Sequence, residues 1–223
     1  MDMFINPPRE RWAELCRRAG SGDTQVAARV EAIVERVARE GDKALYALAE
    51  EIDGVRLAAL RVSEEEFSEA EQAVGEELKR AIDVAIANIS AFHRAQLPHE
   101  VRVETTAGVT CIQRPVPIGC VGLYIPGGTA PLFSTVLMLA LPASIAGCGR
   151  IVMCTPTDRN GRVAAEVLYA ARRCGVGAVY KAGGAQAVAA MAYGTESIPH
   201  VEKIFGPGNR YVTRAKQLVS TEA

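Results

Sequence analysis

Residues 115–149 read PVPIGCVGLYIPGGTAPLFSTVLMLALPASIAGCG and contain no charged side chain, although charged residues make up 23% of the chain. A transmembrane helix needs about 20 continuous apolar residues. Glycines and prolines interrupt this run, and its longest uninterrupted piece, residues 132–141, is too short to span a bilayer. We therefore interpret the run as the buried strand, loop and helix at the centre of a globular domain.

Apolar strand-like segments alternate with helical segments from residue 119 onward. The predicted strands are residues 120–125, 150–155, 178–182 and 201–205. The predicted helices are residues 131–148, which start with proline, and residues 162–174, 185–193 and 211–220. Repeated βα units imply a parallel sheet with helices on its faces, so the predicted fold class is α/β. Such a sheet binds ligands at the carboxyl ends of its strands.

The segment before this sheet is helical in pattern. Apolar residues recur with a 3.6-residue period after Asp23, which is a predicted N-cap, and again in residues 78–89. Ser63 and Glu66 have the spacing of a capping box, which predicts that a helix starts near Glu64.

Three regions follow from these patterns. Residues 1–22 are predicted to form an N-terminal helical arm, and residues 23–119 a helical region that is part of a first domain. Within that region, residues 101–104 and 109–113 are predicted to form a β-hairpin. Residues 120–223 contain the parallel sheet.

Composition excludes several classes of protein. The chain carries 25 basic and 26 acidic side chains and only 5% aromatic residues, which argues against a nucleic-acid partner. The N-terminal residues lack the basic and apolar regions of a signal peptide, so a cytoplasmic location and no membrane partner are expected. The six cysteines show no CxxC spacing, and Cys120 and Cys154 are expected to be core residues rather than nucleophiles.

Glycine-rich loops follow three of the predicted strands, at residues 124–128, 183–186 and 206–209. Glycine lets the backbone approach a ligand closely, and the N–H groups at the start of the following helix favour phosphate. None of these loops contains GxGxxG. Nucleotide binding and simple tight turns therefore both remain open, with the turns slightly favoured.

Polar residues in these loops also have two interpretations each. Tyr124 either stacks on a ligand or closes the core, and its position favours packing. Gln186 either donates to a ligand or satisfies the local backbone, and Asn209 is either a ligand contact or an N-cap. Asp158 follows the second strand and could hold a ribose, but capping of its own loop is favoured.

Two long motifs, GCVGLYIPGGTAPLFSTVLMLALPASIAGC and GGAQAVAAMAYGTESIPHVEKIFGPGN, closely resemble the histidinol dehydrogenase family. The resemblance continues upstream through RPVPIG and GDKALYALAEEIDG and covers nearly the whole chain. It implies an aldehyde-dehydrogenase-like architecture with a Rossmann-like NAD-binding domain and an incomplete first domain. It also implies a homodimeric zinc enzyme that uses NAD to oxidise L-histidinol to L-histidine through an enzyme-held aldehyde.

The resemblance assigns contacts with NAD to Tyr124, Gln186 and Asn209, and so reverses the packing preference for Tyr124. Family members are about twice as long, and the family's zinc ligands and Glu-His catalytic pair have no counterpart in these 223 residues. The three histidines, His93, His99 and His200, do not have zinc-ligand spacing. No catalytic or metal-binding residue is therefore assigned, and the chain is expected to hold NAD without oxidising histidinol alone.

Three alternatives to this assignment remain. A related alcohol-to-acid dehydrogenase with another substrate shares this half of the family sequence. Glutamyl phosphate reductase has a similar strand and loop around residues 117–122, but it uses a cysteine nucleophile for which no loop cysteine here has the required setting. The third alternative is a non-catalytic NAD-binding or dimerisation module.

Overall fold

The computed structural model describes residues 3–16, 24–128 and 130–222. The helices in these ranges are α1 (Trp12–Leu15), α2 (Thr24–Glu40), α3 (Asp42–Leu48), α4 (Glu64–Ala73), α5 (Glu76–Ala95), α6 (Phe133–Ile145), α7 (Ala165–Arg173), α8 (Gly184–Tyr193) and α9 (Arg210–Glu222). The strands are β1 (Val101–Thr106), β2 (Val109–Gln113), β3 (Cys120–Tyr124), β4 (Arg150–Thr155), β5 (Ala178–Lys181) and β6 (Lys203–Phe205). A 3-10 turn (Arg9–Arg11) precedes α1, and a π-helical turn (Ala49–Asp53) follows α3.

Strands β3 to β6 form one parallel sheet in the order β5-β4-β3-β6, which confirms the predicted mixed α/β class. Along the chain, this order places the first and fourth strands of the sheet side by side. Doubly wound folds have the same order, and the point where the chain reverses direction across the sheet is their usual ligand site. Here that switch point lies between β3 and β6.

The sheet is covered by helices on both faces. Helices α2, α3, α8 and α9 share one hydrophobic core with it, and α4 to α7 share the other. Successive residues of β4 alternate between the two cores, with Val152 and Cys154 in the first and Met153 in the second. Burial on both faces explains why the central strands carry almost no charge.

The helical region and the sheet are joined by this packing. Helices α2 and α3 contribute to the first core, and α4 and α5 contribute to the second. These four helices therefore pack on the sheet of residues 120–222. The division of the chain at residues 22 and 119 into an arm and two domains stays a prediction. The predicted hairpin is present as β1 and β2, and both of its strands are solvent exposed.

Helix α6 is shorter than the predicted residues 131–148. It starts after Leu132, whose backbone (φ −90°, ψ 52°) is not helical, and it ends before Gly147, which has a φ of +81°. Pro142 lies inside the helix. In the part of the chain that the structure describes, no helix has both the length and the apolar character needed to cross a membrane.

The predicted capping box is confirmed at the start of α4. The hydroxyl oxygen of Ser63 accepts from the Glu66 backbone N–H at 3.3 Å, and the Glu66 carboxylate accepts from the Ser63 N–H at 3.0 Å. The period predicted for α2 is also confirmed, because its core-facing residues recur at helical spacing. Its predicted N-cap, Asp23, lies outside the described residues.

Candidate functional site

A cleft of about 830 Å³ opens at the carboxyl ends of β3 and β6, and we call it the switch-point cleft. Its volume lies within the range of small-molecule sites, about 300–1,000 Å³. Tyr124, Gln186 and Asn209 all line it, although they come from three different loops. The structure therefore brings the three predicted site residues together in one place.

Tyr124 ends β3 and is only 4% exposed. Its hydroxyl oxygen accepts a hydrogen bond from the Gly184 backbone N–H at 3.0 Å, which ties the end of β3 to the start of α8. Burial raises the pKa of the phenol, and the bond from Gly184 partly opposes that shift. The side chain thus packs in the core and also forms part of the cleft wall. The packing interpretation is confirmed, and contact with a ligand stays a prediction.

Gln186 lies in the first turn of α8 and is 4% exposed. Its Nε2 donates to Oδ2 of Asp53 in a long hydrogen bond of 3.5 Å. The side-chain Oε1 folds back over Gly184, where an added Cβ would lie 2.9 Å from it. Gly184 also has a φ of +60°, so glycine at this position permits both the turn into α8 and the observed position of Gln186.

Asn209 caps helix α9. Its Oδ1 accepts from the backbone N–H groups of Tyr211 at 3.0 Å and Val212 at 3.1 Å, which confirms the N-cap interpretation. Capping uses the amide oxygen, so the NH₂ group is the part of this exposed side chain that can donate to a ligand.

Two further charged residues line the cleft from the helical region, and the sequence analysis did not select them as site residues. Asp53 ends the π-helical turn after α3, and Arg29 lies on α2 with its guanidinium 6.0 Å from the ring centre of Tyr211. Asp53 is exposed as a residue, but partial desolvation of its carboxylate raises its pKa. Asp53 and Gly54 end the motif GDKALYALAEEIDG, which is part of the family resemblance, but no site role was predicted for this segment.

Asp158 has the role that its position favoured. Its Oδ1 accepts from the backbone N–H groups of Asn160 at 2.8 Å and Arg162 at 2.9 Å, and these bonds lower the pKa of the carboxyl. Asp158 therefore caps its own loop, and it does not line the switch-point cleft. The same loop delays the start of α7 to Ala165, three residues after the predicted start at Arg162.

The strand cysteines are held in the core. Cys154 is fully buried, and burial raises the pKa of its thiol to about 12. Cys120 is partly buried, and burial raises its pKa as well. A thiol with a raised pKa contains little thiolate at neutral pH, which agrees with a packing role for both residues.

His93 lies on α5, His99 in the loop after that helix, and His200 in the loop before β6. The Nδ1–H of His200 donates to the carbonyl oxygen of Ala192 at 2.6 Å. Among the described residues, no three His, Cys, Asp or Glu side chains come together as metal ligands. These residues do not fit a zinc site, and no chemical step is assigned to a metal here.

We expect Asp53→Asn to stabilise the protein at neutral pH. The pKa of Asp53 is raised on folding, so the folded state binds its proton more tightly and loses stability as pH rises through and above about 3.9. Asparagine keeps an oxygen that can accept from Gln186 and removes the desolvated charge. Thermal unfolding followed by circular dichroism should show a higher Tm at pH 7 and a difference that disappears near pH 3. An unchanged Tm at pH 7 would contradict this account.

Comparisons with known proteins agree on one family. The sequence profile of histidinol dehydrogenase matches residues 16–223. The histidinol dehydrogenase of Bacteroides thetaiotaomicron is 54% identical over 220 residues, which are 99% of this chain and 51% of that protein. The corresponding protein of Mannheimia succiniciproducens is 54% identical over 211 residues, 95% of this chain and 48% of its own length.

A solved structure gives the same result for the fold. The crystal structure of histidinol dehydrogenase from Elizabethkingia anophelis matches with a TM-score of 0.91 at 44% identity. The match covers 98% of this chain and 50% of that one. The chain thus spans about half the length of the curated relatives it matches.

Proposed function

This chain belongs to the histidinol dehydrogenase family, and on that basis we propose that it forms the NAD-binding part of the enzyme. The observation that carries the proposal is the convergence of Tyr124, Gln186 and Asn209 on the switch-point cleft. These three residues come from segments far apart along the chain. Their meeting at the usual ligand position of a parallel sheet supports a common ligand.

The cleft has properties that suit a dinucleotide. Its volume is about 830 Å³, and the loop at residues 126–128 presents backbone with little side chain in the way of a phosphate. Tyr124 offers its ring and hydroxyl, Gln186 its amide, and Asn209 the NH₂ group that capping does not use. Bound NAD would supply the hydride acceptor for an oxidation.

The complete reaction belongs to the proposal as well. In it, NAD oxidises L-histidinol twice and yields L-histidine, in a cytoplasmic homodimer that also holds zinc. A Rossmann-like and aldehyde-dehydrogenase-like architecture is part of the same proposal, and the strand order β5-β4-β3-β6 supports its Rossmann-like part. The 223 residues by themselves are proposed to bind NAD and not to turn over histidinol.

Isothermal titration with NAD tests the cofactor site. The purified chain should bind NAD saturably, and Asn209→Ser should weaken binding by about 1 kcal/mol, roughly fivefold, because serine keeps the N-cap and loses the amide donor. Gln217→Ala is the matched control, since Gln217 is an exposed residue of α9 outside the cleft. Absence of NAD binding by the unaltered chain would refute the proposed cofactor role. Oxidation of histidinol by the chain with NAD and zinc would refute the proposed lack of turnover.

A further inference from the structure

The β-hairpin formed by β1 and β2 stands apart from the packed part of the protein. All residues of both strands are solvent exposed, and neither strand belongs to either hydrophobic core. A two-stranded hairpin alone is at best marginally stable in water, whereas three or more strands with an apolar face can be stable. A surface that adds strands to this hairpin would therefore stabilise it.

The two faces of the hairpin differ in chemistry. Side chains alternate along a strand, so β1 places Val101 and Val103 on one face and Arg102 and Glu104 on the other. The register puts Cys111 opposite Val103, which extends the apolar face onto β2. Both valines are exposed. Strand β1 therefore presents exposed valines on one face and one positive and one negative charge on the other.

The charges of β1 are available to a partner. Among the described residues, Arg102 forms no salt bridge. Arg114, at the base of the same hairpin, pairs with Glu100 at 2.7 Å. One carboxylate oxygen of Glu104 accepts from the Gly108 backbone N–H at 2.7 Å, which leaves the other oxygen for a second interaction. The hairpin thus carries an unpaired guanidinium and a half-occupied carboxylate on the same strand.

The sequence of β1 is self-complementary in charge. If two β1 strands pair antiparallel about a twofold axis at Val103, Arg102 of each copy lies opposite Glu104 of the other. Val103 then meets Val103 of the second copy on the opposite face. Pairs of opposite charges and pairs of β-branched residues both stabilise a sheet when they lie directly across from each other.

We propose that the edge of β1 facing away from β2 is a self-association surface. A second copy of this chain adds its own β1 there, and the two hairpins form one four-stranded sheet in the order β2-β1-β1-β2. This inference rests on the homodimer of the proposed function and names the surface that forms it. The added strands supply what an isolated hairpin lacks, and they satisfy the backbone groups of the exposed edge.

The other edge of the hairpin fits a second copy less well. The residues of β2, 109–113, carry no charge that would fix the register of a pair. Pro115 follows shortly after and has no backbone N–H to donate. Pairing of β1 with β2 of the next copy is a head-to-tail contact, which leaves an edge open and continues beyond a dimer.

Sedimentation equilibrium of the 223-residue chain and two charge variants tests this surface. The unaltered chain should dimerise. Arg102→Glu and Glu104→Arg should each weaken the dimer at least about tenfold, because like charges then face each other at two symmetric positions. An equimolar mixture of the two variants should dimerise with about the affinity of the unaltered chain, since one copy then carries both negative charges and the other both positive charges.

Two further variants separate association from folding. Glu104→Gln keeps an acceptor for the Gly108 N–H and removes only the charge, so it should weaken the dimer about fivefold while the turn is retained. Arg159→Glu is the matched control, since it makes the same charge change as Arg102→Glu in an exposed loop outside the hairpin. It should leave the dissociation constant unchanged. Circular dichroism checks that each variant is folded.

The possible outcomes distinguish this surface from the homodimer itself. Folded single variants that dimerise as the unaltered chain does, or a mixture that stays monomeric, overturn the inference and leave a homodimer formed by another surface. A monomeric unaltered chain overturns both the surface and the homodimer of these 223 residues. The proposed NAD site is independent of either result, because the hairpin does not line the switch-point cleft.

Discussion

Gly206→Ala is expected to push the loop after β6 away from the end of β3 and to open the switch-point cleft. Gly206 has a φ of +137°, a conformation essentially restricted to glycine. A Cβ added there would overlap the carbonyl oxygen of Tyr124 and lie 3.0 Å from its carbonyl carbon. Both obstacles are backbone and cannot be relieved by a rotamer change. Strain and overpacking together should lower the free energy of unfolding by about 3 kcal/mol.

The same substitution should also reduce NAD affinity more than tenfold, because Asn209 belongs to the displaced loop and Tyr124 to the strand it leaves. Chemical denaturation and isothermal titration measure the two effects. Gly177→Ala provides the control, since no atom lies within 4 Å of a Cβ built there and its φ is not positive. Wild-type stability in Gly206→Ala would show that the contact between the loop and Tyr124 is unimportant.

Leu137→Ala is expected to lower the free energy of unfolding by about 3 kcal/mol, within the usual range for a buried leucine. Leu137 lies on α6 inside the charge-free run and is 1% exposed, in the core shared with α4, α5 and α7. Its truncation leaves a cavity between the helix and the sheet, which the close-packed surroundings cannot fill.

Met138→Ala is the neighbouring control for this effect. Met138 is 54% exposed, so its truncation should change the unfolding free energy by less than about 0.5 kcal/mol. Urea denaturation of both variants compares the two sides of one helix. Equal losses would mean that α6 is not packed on the sheet as described.

Much of the fold was predictable because it depends on local patterns. The residues of β4 were predicted without error, and β3, β5 and α8 to within one residue at either end, since continuous apolar runs bounded by glycine indicate buried strands and the turns that follow them. The ends of α6 were less accurate. Leu132 and Gly147 end the helix through backbone conformations that apolar periodicity does not reveal.

The candidate site was predictable only in part. Tyr124, Gln186 and Asn209 lie in or beside glycine-rich loops after strands, and parallel strands place such loops at one edge of the sheet. Their assignment as NAD contacts came from the family resemblance, because the loop pattern alone left each of them open. Asp53 was not selected because its segment is separate from the βα units along the chain. It reaches the cleft only because α2 and α3 pack on the same face of the sheet as α8 and α9.

The charge-free run at residues 115–149 illustrates the difference between what composition predicts and what depends on tertiary packing. Its composition alone required a buried strand and helix, because a parallel strand covered on both faces excludes charge wherever it lies in the sequence. Which residues meet at the end of that strand depended on tertiary packing. Three segments meet near Tyr124 through long-range contacts: the loop after β6, the first turn of α8 and the turn that ends at Asp53. The spacing of these segments along the chain does not predict that they meet.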